Sequence, residues 1–279
     1  MPKLQEELDR IEKSLSNSSF IPKIFEPLAD AHLAEKQEFR KATKIKDCWY
    51  ASDLGGCPSG SYYSRLSPES SVLDARTLRV FAVGNLFHGF FENLAEEAGI
   101  LVAKEDELHV VDPIHNARGR ADMLVRVGKY HILYDIKTMH SKGFWYLAEG
   151  NFQAKHHHKL QLHFYMNLLK DKYPNLMGGM VYVSKDDLSF QEIPVQYDPA
   201  LVDEINNELD ILNTAWETKV PPPPAPAVVY NEGTKGWEIN WQAKYCSYHH
   251  VCTGNPDWML DAKKEVFQKN RMLVDLKSK

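Results

Sequence analysis

Cysteine is scarce in this 279-residue chain: four residues are too few for the dense disulfide scaffold of a small secreted domain. Long apolar runs are missing as well. No stretch approaches the roughly 20 apolar residues needed to span a bilayer, and the opening MPKLQEELDR has no apolar segment of the signal-peptide kind. These absences lead us to expect a soluble cytoplasmic (intracellular) protein with no membrane association. The chain has no GxxxxGKS/T loop, no GxGxxG fingerprint and no internal repeat, which disfavours a motor or a dinucleotide enzyme. Positive charge is not in excess either: 33 Lys and Arg stand against 38 Asp and Glu, a net charge of -5. Any surface that binds phosphate must therefore be basic locally rather than globally.

What is present is enough apolar material for a core, 43% of residues with 11% aromatic, so a folded globular protein of one large or two small domains is expected. Leu4, Leu8, Ile11 and Leu15 form an amphipathic helical stripe over residues 3–16. That stripe suits packing on a main domain better than a two-heptad coiled coil. A second helix is expected over about 74–98, with Gly99 as its cap and Leu78, Phe81, Phe87, Phe91 and Leu94 as candidate core. Strand patterns follow over 107–139, a helix over 152–172, a buried strand over 177–184 and a helix over 199–217. This interleaving predicts an α/β fold with a mixed central sheet flanked by helices. Pro221-Pro222-Pro223-Pro224-Ala225-Pro226 reads as a stiff extended spacer, and Asn255-Pro256-Asp257 as the start of a last helix. The resulting division is an N-terminal helical segment (1–47), a core (48–220) and a C-terminal addition (221–279) packing back on it.

One hairpin carries the chemistry. Residues 121–127 and 130–137 flank the pair Gly128-Lys129, and Gly in the first position of a two-residue loop suits a type II′ turn. If Val127 pairs with Tyr130, Asp122 faces Asp135. Alternation then places Met123, Val125, Val127, Tyr130, Ile132, Tyr134 and Ile136 on one face, the core. Asp122, Asp135 and Lys137 gather at one end of the other face, with Leu124, Arg126, His131 and Leu133. Two opposed carboxylates repel unless something compensates them. Hard oxygen ligands point to Mg²⁺ or Mn²⁺. A DxK tripeptide also occurs in ordinary surface hairpins, as a solvated pair, so the neighbouring motifs matter.

Gly119-Arg120-Ala121-Asp122 followed by Tyr134-Asp135-Ile136-Lys137-Thr138 resembles two motifs of the RecB-like branch of the PD-(D/E)xK nucleases, which includes CRISPR-associated RecB-like exonucleases and the nuclease domains of recombination helicase complexes. Gly84-Asn85-Leu86-Phe87-His88 is similar to that branch's upstream GxxxH, and Gln161-Leu162-His163-Phe164-Tyr165 to its downstream QxxxY. The resemblance spans about 52–252. It implies a restriction-endonuclease-like core in which His88, Asp122 and Asp135 hold the metal, Lys137 positions the attacking water, and Gln161 and Tyr165 support the site. Glu107 is a weaker candidate acid. Implied with these are a DNA substrate, single-stranded or with free ends, and a helicase or recombination partner. The alternatives are a nuclease-fold DNA-binding or assembly protein without turnover, and a structure-specific endonuclease. Phe144, Trp145, Tyr146 and Phe152 either stack exposed bases or form core beneath a loop.

Relatives of this kind carry an iron–sulfur cluster on one upstream and three downstream cysteines. Cys57 matches the upstream position, and Cys246 and Cys252 match two of the downstream ones, but Ala243 stands where the remaining thiolate belongs. Three readings stay open: Cys48 completes an iron–sulfur site, His249 or His250 helps make a zinc site, or the thiols survive without metal. The run His156-His157-His158 is expected to be a partly solvated surface near DNA.

Overall fold

The hairpin forms as its turn chemistry requires. In the computed structural model, which describes residues 2–16, 25–43, 47–66, 74–149 and 152–277, Gly128 adopts φ 60° while Lys129 stays out of the left-handed region, as a type II′ turn demands. In chain order the elements are α1 (Pro2–Ser16), α2 (Phe25–Thr43), β1 (Trp49–Tyr50), α3 (Pro58–Leu66), α4 (Ala75–Glu97), β2 (Leu101–Lys104), β3 (His109–Asp112) and β4 (Ala117–Arg120). Next come β5 (Met123–Val127), β6 (Tyr130–Met139), α5 (Ser141–Glu149), α6 (His156–Leu169), β7 (Leu176–Ser184), β8 (Phe190–Val195) and α7 (Pro199–Thr218). The C-terminal part adds β9 (Val228–Asn231), β10 (Gly236–Ile239), α8 (Trp241–Lys244), α9 (His249–Thr253) and α10 (Trp258–Lys277).

The main sheet has the order β2-β5-β6-β7-β8. It is mixed: β6 and β7 are parallel, joined through α5 and α6, and the other neighbours are antiparallel. A smaller sheet, β1-β4-β3, and the β9–β10 hairpin complete the strands. Val127 pairs with Tyr130 and Met123 with Tyr134, in the expected register.

Both faces of this sheet are covered. Leu124 and Leu133, on the face opposite the expected core, are fully buried in the larger cluster with Leu160, Leu162 and Met166 of α6 and Ile205 and Leu209 of α7. Met123, Val125 and Ile136 pack on the other side with Phe87 and Phe91 of α4. The physical reason is the parallel β6–β7 pair, whose crossover helices cover the second face. The single core face expected for the hairpin is therefore corrected to two.

Asp74 caps α4 by accepting the Thr77 N–H, and Gly99 follows the helix at φ 68°. Phe81 and Leu94 are about half exposed rather than core. The strand region begins earlier than expected, at Leu101. α1 packs on α2, which packs on α4, with Ile11 of the stripe buried and Leu8 exposed; the side chain of Leu15 and residues 17–24 and 44–46 of the N-terminal segment lie outside the described residues. The proline stretch is irregular in backbone but is not a free spacer. Ala225 is buried, and its N–H donates to Cys57 Sγ at 3.3 Å.

Candidate active site

The end of the hairpin where β5 begins gathers charge inside the protein. The ladder stops at Met123, one residue after Asp122, and the Asp122 Oδ2 accepts the Ile136 backbone N–H at 2.6 Å. That bond anchors Asp122 across from Asp135. Asp122 is 7% exposed and Asp135 fully buried. Burial, with the Asp135 carboxylate adding to it, pushes the Asp122 carboxyl up to about 7; Lys137, His88 and the Ile136 N–H pull the other way.

His88 reaches this point from α4. Its Nδ1 lies 3.7 Å from Asp122 Oδ1 and 3.7 Å from Glu105 Oε2. Gly84, one turn earlier, allows that approach: a Cβ there would lie 3.1 Å from Thr138 Oγ1 on β6. Burial lowers the His88 pKa, but the Glu105 and Asp122 carboxylates outweigh it and raise the imidazole above its ordinary value. Glu105 was not anticipated. It sits at the start of the single turn Glu105–Glu107, ion-paired with Arg120 at 2.5 Å. Glu107, the weaker candidate acid of the sequence, instead points outward and accepts the Lys104 N–H at 3.0 Å. A tight turn sends its consecutive side chains in different directions, and the run Glu105-Asp106-Glu107 carries no signal of which acid turns inward.

On the other side of Asp135 runs a chain of hydrogen bonds. Lys137 Nζ donates to Asp135 Oδ1 at 3.0 Å and to Gln161 Oε1 at 3.1 Å, and Gln161 Nε2 donates to the Tyr165 hydroxyl at 2.8 Å. Burial disfavours the Lys137 ammonium, yet the Asp135 and Asp122 carboxylates hold its pKa above the ordinary lysine range. Tyr165 is buried and its phenol pKa is raised, chiefly by that burial. Gly119 makes room for it, since a Cβ at 119 would fall 2.4 Å from Tyr165 Cε1 and 2.8 Å from the Ala51 Cβ.

The histidine run divides three ways. His156 is exposed and bonds Glu204 at 2.7 Å, and His157 lies against Trp241. His158 is drawn inward to the Tyr182 hydroxyl at 2.8 Å, beside the site rather than on a solvated surface. Burial lowers the pKa of His157 to about 4 and that of His158 to about 2, with nearby lysine charge adding to both, so neither imidazole is protonated near neutral pH. The aromatics divide as well: Phe144 and Phe152 pack in the core, while Trp145 and Tyr146 are more than half exposed.

The residues fit a hard divalent cation. Ligand atoms of His88, Glu105 and Asp122 all lie within 4.8 Å of one another. The buried Asp135 Oδ2 has no hydrogen-bond partner, although Lys137 Nζ stands 2.9 Å away. The Lys137 ammonium offsets its charge, but a buried oxygen with no hydrogen-bond donor keeps lone pairs unmet, and these are available to a divalent cation.

The cysteines do not fit a four-thiolate cluster. Cys57, at the start of α3, is in contact with Cys246, and Cys252 accepts a bond from Ser59 Oγ at 2.9 Å. Contact with Cys246 and the N–H groups of Ala225, Gly60 and Ser59 bring the Cys57 thiol down to about 5 against the opposing effect of burial. Ala243 is fully buried, and Cys48 lies among Arg118, Asp47, Tyr50 and Arg65 rather than with the other three. The proposed completion of an iron–sulfur site by Cys48 finds no support in that placement.

A family model described as the PD-(D/E)XK nuclease superfamily matches residues 105–253, more than half of the chain. No curated protein matches it. Among solved structures, SSO0001 is similar in fold, with a TM-score of 0.52 and 21% identity over 79% of this chain and 94% of that one. An alkaline exonuclease from Laribacter hongkongensis gives 0.46 at 16% identity over 66% and 94%. The same enzyme in complex with dAMP gives 0.44 at 17% over 62% and 93%.

Proposed function

Because this chain belongs to the PD-(D/E)XK nuclease superfamily, we propose that it is a metal-dependent deoxyribonuclease of the RecB-like kind, an exonuclease that hydrolyses single-stranded or frayed DNA ends. The observation that carries this reading is the buried pair Asp122 and Asp135, flanked by His88 and Glu105 on one side and by the Lys137-Gln161-Tyr165 chain on the other.

His88, Glu105, Asp122 and Asp135 would hold Mg²⁺ or Mn²⁺. When bound, such an ion lowers the pKa of a water and neutralises charge on the phosphoryl oxygens. Lys137 has two of its three donors on Asp135 and Gln161, so its third is free to orient the attacking water or to meet the negative charge that develops on the phosphate. Gln161 fixes that ammonium, and Tyr165 fixes Gln161. The exposed Trp145 and Tyr146 follow β6 directly and offer rings on which unpaired bases can stack, which suits strand ends of the kind a helicase supplies.

The test compares end-labelled linear and closed circular single-stranded DNA with Mn²⁺, with matched forked and blunt duplexes at the same salt. Release of mononucleotides from linear single strands, absent in Asp135→Asn, is expected. Efficient cutting of the circle would make the protein an endonuclease, and faster cutting of blunt duplex would overturn the preference for unpaired ends. Binding without cleavage would favour a non-catalytic DNA-binding role.

A further inference from the structure

The groove between α3 and the C-terminal segment brings two thiols into contact, and neither the nuclease chemistry nor the packing makes use of them. Cys57 stands immediately before α3, and its carbonyl accepts the Ser61 N–H at 3.0 Å, so it takes the capping position of that helix. Its sulfur faces the backbone N–H groups of Ser59 and Gly60 and receives the Ala225 N–H at 3.3 Å. Donors at a helix N-terminus stabilise a thiolate. The Cys246 thiol touches the same sulfur and donates toward it, which favours the anion on Cys57 and keeps the proton on Cys246. Gly60 leaves room for this contact, since a Cβ there would lie 2.7 Å from Cys246 Sγ and 3.5 Å from Cys57 Cβ. A cavity of about 280 Å³, lined by both cysteines with Ser61, Ser64 and Ser247, opens onto the pair and admits small polar solutes to it. The other two thiols are placed differently. Cys252 accepts the Ser59 hydroxyl at 2.9 Å and Cys48 lies near Arg118 and Asp47, and burial raises the pKa of both.

We propose that Cys57 and Cys246 are a peroxide-reactive thiol pair that closes into a reversible disulfide, pinning the C-terminal segment to α3. A thiolate that small oxidants can reach, with a second thiol in contact to resolve it, is the arrangement that peroxide oxidation selects. The Cys57 thiolate attacks one oxygen of a hydroperoxide, the O–O bond breaks, and hydroxide leaves to be protonated by solvent. Cys57 is then a sulfenic acid. The Cys246 sulfur attacks the Cys57 sulfur, the S–S bond forms as the S–O bond breaks, and the Cys246 proton departs with the hydroxyl as water. Hydrogen peroxide is reduced to two waters while the two sulfurs give up two electrons. A dithiol reductant reverses the link by thiol–disulfide exchange. Because the bond joins residues on either side of the β5–β6 hairpin and the proline stretch, it closes a long loop and restricts the unfolded chain.

The test needs neither DNA nor a divalent ion, so its outcome is independent of the nuclease assignment. The full chain is reduced, freed of reductant, treated with hydrogen peroxide, alkylated and digested for mass spectrometry. A Cys57–Cys246 linked peptide that disappears on treatment with dithiothreitol is expected, with Cys48 and Cys252 recovered as alkylated thiols. In Cys246→Ser the peroxide should leave a sulfenic acid at Cys57 that dimedone traps, and in Cys57→Ser the oxidation of Cys246 should slow by about tenfold or more. Trapping at Cys57 in Cys246→Ser guards against a variant that merely misfolds, because unfolding would expose all the remaining thiols alike. The urea midpoint of the wild type should rise on oxidation and return on reduction, and that of Cys246→Ser should not move. A link to Cys48 or Cys252 in place of this pair, undiminished oxidation of Cys246 in Cys57→Ser, failure of the wild type to form a link, or an unmoved urea midpoint would each overturn the proposal.

Discussion

The acid-lined end of the β5–β6 hairpin and the thiol-lined groove beside α3 both gather ionisable side chains, but they are assembled over different distances along the chain. Asp122, Asp135 and Lys137 belong to one hairpin, and Asp122 meets Ile136 only 14 residues away. Ser59 and Cys252, which meet in the groove, are 193 residues apart. The first arrangement follows from local backbone pairing. The second exists only once the C-terminal segment has docked, and Ala225 within the proline stretch is part of that docking. The donor chemistry differs in the same way, hard oxygen and imidazole in one region and soft sulfur in the other. Each region should therefore fail independently of the other.

The strongest way to break the comparison is at Asp135. Asp135→Asn should lower cleavage by about a thousandfold or more, corresponding to about 4 kcal/mol or more of lost transition-state stabilisation. It should leave the circular dichroism spectrum intact, and near-wild-type turnover in single-turnover assays would remove Asp135 from the site. Next in size is the response to the ion. Mg²⁺ or Mn²⁺ at a hundredfold excess over Kd should stabilise the folded wild type by about 2.7 kcal/mol. The thermal shift should shrink sharply in Asp135→Asn and persist in Cys246→Ser, and an equal shift in wild type and Asp135→Asn would place the ion elsewhere.

Gly119→Ala probes the packing behind the catalytic chain. The added methyl meets Tyr165 and Ala51, and overpacking of this sort costs about 1–3 kcal/mol. Denaturant titration should register that loss, and unaltered stability would mean that Tyr165 is free to move away. The smallest effect is a slope with pH. The folded Asp122 carboxyl titrates near 7 against an ordinary value of 3.8. Between these values the metal-free folded chain keeps a proton that the unfolded chain has released. Stability must then fall as pH rises through this window, by at most about 1.4 kcal/mol per pH unit, and level off above it. Urea titrations across the window should show the fall, and Asp122→Asn should flatten it; an unchanged slope in that variant would assign the proton to another group.

The legible parts of the molecule were those governed by neighbours in the chain. A two-residue turn with Gly128 at φ 60° specifies which residues face each other, so the Met123–Tyr134 register was readable, and Asp122 follows one step beyond it. The extent of α4 was readable from Asp74 and Gly99 for the same reason. Its buried face was not: Phe81 and Leu94 are open to solvent although they share the apolar pattern of Phe87 and Phe91. Periodicity marks a stripe but cannot say how wide the contact with the sheet will be.

By itself the sequence determined the hairpin, the interleaving of strands and helices, and the gathering of Asp122, Asp135 and Lys137, because turn geometry and residue spacing act over a few residues; His88, Gln161 and Tyr165 became candidates only through the resemblance to RecB-like nucleases. Only the tertiary structure decided that Glu105 rather than Glu107 turns inward, that Leu124 and Leu133 are as buried as Met123 and Val125, and that Cys57 meets Cys246 while Cys48 lies among Arg118, Asp47, Tyr50 and Arg65. Those choices depend on which distant surfaces exclude water from one another, a property of the packed chain that no local pattern carries.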